Sequence, residues 1–127
     1  MKRPSILFTV VVAGVAVLST ACASMQEAKK SPQEIVAERQ QVMKQNGDAW
    51  KNVQDNAKAG NWPVVAANAD IISKNAAKIP SLFPQGSMTD KSKAKPEIWQ
   101  KWSEFEATAK KMETEGAKLR ATAQRSG

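Results

Sequence analysis

The feature that most constrains the fold is a long helical repeat of apolar and small residues in the C-terminal part of the chain. They recur at alternating intervals of four and three residues, at Ile98, Trp102, Phe105, Ala109, Met112, Gly116, Leu119 and Ala123. An α-helix turns once every 3.6 residues, so this spacing places all eight residues on one face. The repeat predicts a helix over residues 96–124 that packs at a shallow angle against neighbouring helices.

A first helix is predicted over residues 32–59. Ser31 can serve as its N-cap, Glu34 can complete a capping box with that serine, and Gly60 supplies a stop. The predicted buried face runs through Val36, Met43, Trp50 and Ala57, with Ile35, Val42, Ala49 and Val53 beside it.

Two polar residues, Arg39 and Gln40, lie between Val36 and Met43 on much the same face of the first helix. The simplest interpretation is that Met43 fills the core while the side chain of Arg39 extends from the edge of the face to water. The alternative is that Arg39 and Gln40 meet anionic groups at the edge of a buried ligand and that Met43 points towards its centre.

A second helix is predicted over residues 62–79, with Asn61 as its N-cap and Pro80 as its end. Its apolar positions are Val65, Ala69, Ile72, Ala76 and Ile79. Residues 80–95 contain prolines, a glycine and small polar residues, which predict a long irregular connection. The chain is therefore predicted to be all-α, an antiparallel helical bundle. Four helices are the commoner arrangement for apolar faces of this kind. If a fourth helix were missing, apolar side chains of the other three would be left uncovered.

Histidine and cysteine usage removes several classes of function. The chain contains no histidine, and its one cysteine is Cys22. It therefore offers no zinc site built from cysteine and histidine, no Ser-His-Asp triad and no imidazole base. The neighbouring acidic pairs on the third helix are two residues apart and do not share a helical face. The sequence predicts a protein that is not an enzyme.

Residues 1–23 have the layout of a secretory signal peptide. A basic start precedes an apolar run over residues 6–18, and Ala21, Cys22 and Ala23 have the small-x-small form of a signal-peptidase site. Cleavage after Ala23 would leave a flexible leader, 24–31, and a helical domain, 32–127, in the periplasm. The alternative is lipoprotein processing at Cys22, which would anchor the chain to a membrane.

The charge of the exported part is moderately basic. Residues 24–127 contain 17 basic and 12 acidic residues, a formal charge of +5. The lysines are scattered along the sequence and are not grouped with aromatic residues, so no nucleic-acid interface is predicted. Solvated helix faces are the simplest interpretation of these lysines, and a docking surface for an acidic partner protein is the alternative.

Three stretches in the order and spacing found here resemble the class II c-type cytochromes, the cytochrome c-prime family. They are RQQVMK at 39–44, LFPQGS at 82–87 and KPEIW at 95–99, within a resemblance that covers about residues 35–127. The resemblance implies three of the four helices of a periplasmic four-helix bundle. It also implies one bound haem and a function in electron transfer or in binding small gaseous ligands.

The resemblance also implies roles for particular residues. Arg39 and Gln40 would contact the edge and the propionates of the haem, and Met43 would occupy the distal side as a candidate ligand of the iron. The loop that follows the second helix would flank the haem, with Ser87 and Asp90 as candidate contacts. A redox partner protein is implied as well, and a homodimer is a further assembly to consider.

The sequence departs from the family in its haem-attachment motif. The family binds haem c through C-x-x-C-H on a fourth helix, where two cysteines form thioethers and the histidine binds the iron. These 127 residues contain no such motif, so haem c cannot be covalently attached to them. The simplest interpretation is a chain truncated at its C-terminus. The alternative is a haem-free secreted helical module that binds a partner helix or an apolar ligand.

Overall fold

The computed structural model describes residues 29–127, and the predicted signal peptide lies outside them. The elements in chain order are α1 (Pro32–Lys58), α2 (Trp62–Lys78), a 3-10 turn (Ile79–Leu82), α3 (Glu97–Gln100) and α4 (Trp102–Ser126). No strand occurs in residues 29–127, and the predicted all-α helical bundle is confirmed. No helix in this part of the chain is long and apolar enough to cross a membrane.

The ends of α1 and α2 follow from local hydrogen bonds. The hydroxyl of Ser31 accepts from the backbone N–H of Glu34, and the Glu34 carboxylate accepts from the Ser31 backbone N–H at 2.7 Å, which completes the predicted capping box. The prediction that the Asn61 side chain caps α2 is wrong. Its Nδ2 instead donates to Asn56 Oδ1 at 3.1 Å, because the tight turn between the two helices brings the end of α1 within reach.

Helix α2 lies in the centre of the bundle. It packs against α1 and against α4, whereas no Cα of α1 comes within 8 Å of a Cα of α4. Two hydrogen bonds show the relative direction of α2 and α4. Arg120 Nη1 donates to Asp70 Oδ1 at 2.6 Å, and Ser73 Oγ donates to the Glu113 carbonyl at 2.8 Å, so a later residue of α2 meets an earlier residue of α4. The two helices are therefore antiparallel neighbours, and the space between α1 and α4 is left open on one side.

The core is built around α2. The five apolar positions predicted for the second helix, of which Ile79 falls in the 3-10 turn, are all buried, and Val65, Ala69 and Ala76 are fully covered. Seven of the eight predicted positions lie on α4, and of these only Ala109, Gly116 and Ala123 are buried; the eighth, Ile98, lies on α3. Because α4 packs against α2 alone among the long helices, its remaining apolar side chains stay half-exposed.

The buried face of α1 is rotated from the predicted one: it keeps Val36, Val42, Ala49 and Val53 but excludes Met43 and Trp50. It consists of Val36, Arg39, Val42, Asn46, Ala49 and Val53, while Met43 and Trp50 are 53% and 51% exposed. The interpretation that Met43 fills the core and Arg39 extends to water is therefore wrong. The reason is tertiary, since partners distant in sequence satisfy the buried polar groups of Arg39 and Asn46.

The third predicted helix, 96–124, is interrupted. Lys101 leaves the helical conformation, with φ −117° and ψ 45°, and separates α3 from α4. The interruption lies between Trp99 and Trp102, and the indole N–H of Trp99 donates to the Phe83 carbonyl at 2.9 Å. This anchor between α3 and the preceding loop is a tertiary contact that the apolar periodicity does not encode.

Candidate functional site

The first part of the candidate site is a buried arginine. Arg39 is 4% exposed, although most residues of α1 are exposed to solvent. Its Nη1 donates to Ser87 Oγ at 3.1 Å, and its Nη2 donates to the Ser87 carbonyl at 2.7 Å and to Ser92 Oγ at 3.3 Å. One guanidinium group therefore joins α1 to the loop that follows α2.

The guanidinium of Arg39 is stabilised without an ion pair. Its guanidinium carbon lies 4.5 Å from the ring centroid of Phe83, a cation–π distance. No carboxylate of residues 29–127 lies within 4 Å of this guanidinium. Burial lowers the pKa of Arg39, because removal from water disfavours the charged form. The arginine is a buried cation held by neutral oxygens and an aromatic face.

Ser87 organises the loop on the other side of this contact. It is 2% exposed, and its hydroxyl donates to the Pro84 carbonyl at 2.7 Å while it accepts from Arg39. Gly86, with φ 77°, provides the left-handed turn that precedes it. The amide of Gln40 adds a second link, with Nε2 donating to the Lys91 carbonyl at 3.0 Å. Arg39 and Gln40 thus hold the same loop at two points.

The structure brings together some of the predicted site residues but not all of them. Arg39, Gln40 and Ser87 meet at the loop, and Asp90 lies exposed beside Gln40 in a cavity of about 420 Å³. Met43, one helical turn after Arg39, is exposed on α1 and takes no part in these hydrogen bonds. Sequence reasoning missed Ser92 and Phe83 as partners of Arg39, and the only signal for Phe83 was its place in the LFPQGS stretch. The predicted haem contacts of these residues stay predictions.

The second part of the candidate site is an apolar surface between α1 and α4, which we call the open face: Met43, Trp50, Ile72, Met112 and Leu119. Met43 and Trp50 are seven residues apart on α1 and therefore lie on one side of that helix. A cavity of about 400 Å³ extends from Trp50 across Ile72 to Met112 and Leu119. The surface resembles a groove between helices, which is a common place for ligands and cofactors in helical bundles.

The atoms on the open face that could bind a metal ion are few, and they are mainly thioether sulfurs. Residues 29–127 contain no group of three or more histidine, cysteine, aspartate or glutamate side chains that could hold a metal ion. The charged side chain at the cavity is Glu115, whose carboxylate pairs with Lys118 at 2.9 Å. The thioethers of Met43 and Met112 remain, and thioether sulfur is a ligand suited to haem iron. Sequence reasoning identified Met43 and missed Met112.

Comparison with known proteins shows the family to which the chain belongs. The family model described as cytochrome C' matches residues 34–127, which includes nearly all of α1 and all of the later elements. The chain belongs to the cytochrome c-prime family. Searches of curated proteins and of solved structures found no match to it. Membership agrees with the resemblance carried by the three stretches in α1, the loop and α3.

The side chains of this cytochrome c-prime family member fit one side of a haem only. An apolar wall with a thioether is present at the open face. The covalent side requires two thiols and an imidazole, and the 127 residues contain one cysteine and no histidine. These residues therefore cannot supply the thioether bonds or the histidine ligand by themselves.

Proposed function

We propose that the chain forms the distal part of a cytochrome c-prime-type haem protein of the periplasm, which transfers electrons or binds small gaseous ligands. The observation that supports the proposal best is the open face, an apolar surface with Met43 beside it, left uncovered in a family that implies haem c. A helix carrying C-x-x-C-H against this face would supply the missing thiols and imidazole. Bound haem would contribute the redox chemistry of its iron.

In this proposal the residues of the chain have distinct tasks. Trp50 forms one wall of the cavity at the open face, and Met112 and Leu119 form the other. Met43 lies two helical turns before Trp50 on the same side of α1. Arg39 serves as a positioning residue for the loop after α2, which its three hydrogen bonds hold against α1. The apolar wall excludes water from whatever occupies the face, which strengthens electrostatic interactions there.

A haem peptide tests this proposal. The probe is a synthetic C-x-x-C-H segment with covalently attached haem, added to the purified chain while the absorption spectrum is recorded. We expect saturable binding and the spectroscopic signature of a methionine–iron bond. Met43→Ala should remove that signature, whereas Met88→Ala should retain it, because Met88 is an exposed thioether in the loop rather than on the open face. An unchanged haem spectrum at all chain concentrations contradicts the proposal.

The second candidate is a haem-free helical binding module that takes an amphipathic helix or an apolar ligand on the open face. The observation that favours it is the donor set, which lacks histidine and has no second cysteine. Under this candidate the purified chain is monomeric and unfolds cooperatively without haem. The nucleotide sequence after the codon for Gly127 separates the two candidates. A C-x-x-C-H motif in any frame within one helix length, about 20–25 residues, supports the haem protein.

A further inference from the structure

The middle of α1 has the geometry that receives a side chain from a facing helix. Four residues of one helix, at positions i, i+3, i+4 and i+7, surround the space into which such a side chain inserts. On α1 this set, which we call the α1 hole, is Met43, Asn46, Gly47 and Trp50. No neighbouring atom lies within 4 Å of the place where a Cβ of Gly47 would stand. The hole therefore has room for a large side chain.

The α1 hole adjoins the cavity of the open face. Trp50 belongs to both, and the cavity continues from it to Ile72 on α2 and Met112 on α4. Met43, Gly47 and Trp50 are exposed, so three of the four residues of the hole are uncovered among residues 29–127. A segment that lies on the open face is therefore in position to place a side chain in the hole.

The fourth residue of the hole is polar and buried. Asn46 is 5% exposed, and its Oδ1 accepts from Asn75 Nδ2 at 3.0 Å. Its Nδ2 is buried and has no hydrogen-bond partner within residues 29–127. The amide pair lies one turn along α1 from Trp50 and one turn along α2 from Ile72, which makes it the layer next to the cavity. A buried N–H without an acceptor costs free energy, which a partner that brings an acceptor recovers.

We propose that the segment covering the open face is a helix with one glutamine in an otherwise apolar face, and that this glutamine enters the α1 hole and accepts a hydrogen bond from Asn46 Nδ2. The inference rests on the proposed function, because it requires a helix on the open face. It makes Asn46 the residue that selects among helices by their polar side chain.

A neutral side chain with an acceptor oxygen fits the hole better than an apolar or a charged one. A leucine would leave Asn46 Nδ2 without an acceptor. A carboxylate would supply an acceptor but would also bring a charge beside Trp50 and Ile72, where nothing apolar can compensate it. The glutamine carboxamide supplies the acceptor without the charge, and its length suits the room at Gly47.

A glutamine scan tests the inference without haem. The probes are fluorescein-labelled amphipathic helical peptides of about 21 residues, with leucine at every position of one face, and in each probe one of these leucines is glutamine. Fluorescence anisotropy with the purified chain gives the affinities. We expect one glutamine position to bind at least about threefold more tightly than the all-leucine peptide, and the other positions at least about tenfold more weakly, because they bury an unpaired amide.

Matched variants assign this preference to the buried amide pair. In Asn46→Leu with Asn75→Leu, the preferred glutamine peptide should bind at least about tenfold more weakly than the all-leucine peptide. Asn52→Leu with Asn68→Leu makes the same chemical change at an exposed amide pair between the same two helices, joined at 3.4 Å, and should retain the preference. Asn52 is six residues after Asn46 and lies on a different side of α1.

Two further measurements locate the bound side chain. The NMR signals of the Asn46 side-chain N–H2, assigned by their loss in Asn46→Leu, should shift with the preferred glutamine peptide and exchange more slowly with water. Gly47→Met fills the α1 hole and should weaken that peptide at least about tenfold, whereas Ala37→Met adds the same side chain at an exposed position of α1 outside the hole and should change its affinity less than about twofold.

Several results would overturn the inference. If no glutamine position binds better than leucine, a helix covers the open face without a partner for Asn46, and the proposed function stands. A glutamine preference that persists in Asn46→Leu with Asn75→Leu places the acceptor elsewhere. A chain that sediments as a dimer, and stays dimeric with every peptide, assigns the hole to a second copy. Absence of binding by all peptides at about 1 mM contradicts the covering helix as well.

Discussion

The guanidinium of Arg39 lies over the ring of Phe83 at 4.5 Å while its nitrogens donate to Ser87 and Ser92. These contacts join the N-terminal half of α1 to a loop about fifty residues further along the chain. They make the arginine part of the core and turn the neighbouring Met43 outwards. These contacts occur together with the orientation of α1 that leaves Met43 and Trp50 exposed.

Arg39→Lys should lower the free energy of unfolding by about 2–3 kcal/mol, because a lysine ammonium cannot reproduce the forked hydrogen bonds and the stacked plane of the guanidinium. Urea denaturation followed by circular dichroism measures the loss. Arg125→Lys, at an exposed position near the end of α4, should change stability by less than about 0.5 kcal/mol. An Arg39→Lys variant as stable as the parent would show that the contact contributes no stability.

Two glycines on helices should respond in opposite directions to alanine. Gly47 is in α1 and has no neighbouring atom within 4 Å of the site of an added Cβ, so Gly47→Ala should stabilise the chain by about 0.5–1 kcal/mol through helix propensity. A Cβ at Gly116 would lie 3.0 Å from the Ser73 backbone nitrogen, so Gly116→Ala should destabilise it by about 1–3 kcal/mol through overpacking. Thermal unfolding of both variants compares them directly.

The two variants control for one another, since each makes the same chemical change within a helix. A loss of stability in Gly47→Ala would mean that something packs against α1 at that position, which lies between Met43 and Trp50 in sequence. Sedimentation of that variant and of the parent would show whether the packing comes from a second copy of the chain.

A buried amide pair joins α1 and α2. Asn75 Nδ2 donates to Asn46 Oδ1 at 3.0 Å, and Asn46 Nδ2 has no hydrogen-bond partner. Asn75→Ala should cost about 1–3 kcal/mol, because it leaves the Asn46 carbonyl oxygen buried without its donor. The double replacement by leucine, Asn46→Leu with Asn75→Leu, should recover most of this loss because no polar group is then left unpaired.

Equilibrium denaturation of the single and double variants gives the coupling energy between the two asparagines. Asn52→Ala serves as the control, since that side chain is exposed and should change stability by less than about 0.5 kcal/mol. Additive effects of the two leucine replacements would show that the amide pair does not act as a unit.

The ion pairs of Asp70 should make stability depend on pH. Hydrogen bonds from Lys74 and Arg120 lower the pKa of Asp70 below its ordinary value of 3.8. A lowered folded-state pKa contributes stability above the unfolded pKa, and this contribution is lost as pH falls through the folded value. Asp70→Asn should therefore be less stable than the parent at neutral pH, and the difference should disappear in strong acid.

Urea midpoints between about pH 2 and pH 7 measure this effect of Asp70. Asp90→Asn removes an exposed carboxylate that has no ion pair within residues 29–127, and its difference from the parent should stay small throughout. A constant difference between Asp70→Asn and the parent at every pH would mean that the carboxylate charge is not the source of the stability.

Local patterns predicted the helices and their approximate limits because those patterns act within a few residues. The Ser31 and Glu34 capping box, the apolar spacing of α2 and the stop at Pro80 are all local signals. The interruption at Lys101 was not predicted. It separates Trp99, whose indole N–H donates to the loop, from Trp102, which begins α4, and that hydrogen bond joins residues distant in sequence. Periodicity describes which residues share a helical face and does not describe such tethers.

The amino-acid sequence by itself determined the all-α class, the family and the lack of histidine in these 127 residues, since these follow from periodicity, motif order and residue types. Only the tertiary structure decided which face of α1 is buried. An arginine can enter a core when acceptors and an aromatic face surround it, and Ser87, Ser92 and Phe83 come from a distant loop. With these hydrogen-bond acceptors and this aromatic ring around it, Arg39 is buried in the core, and Met43 lies on the exposed side of α1.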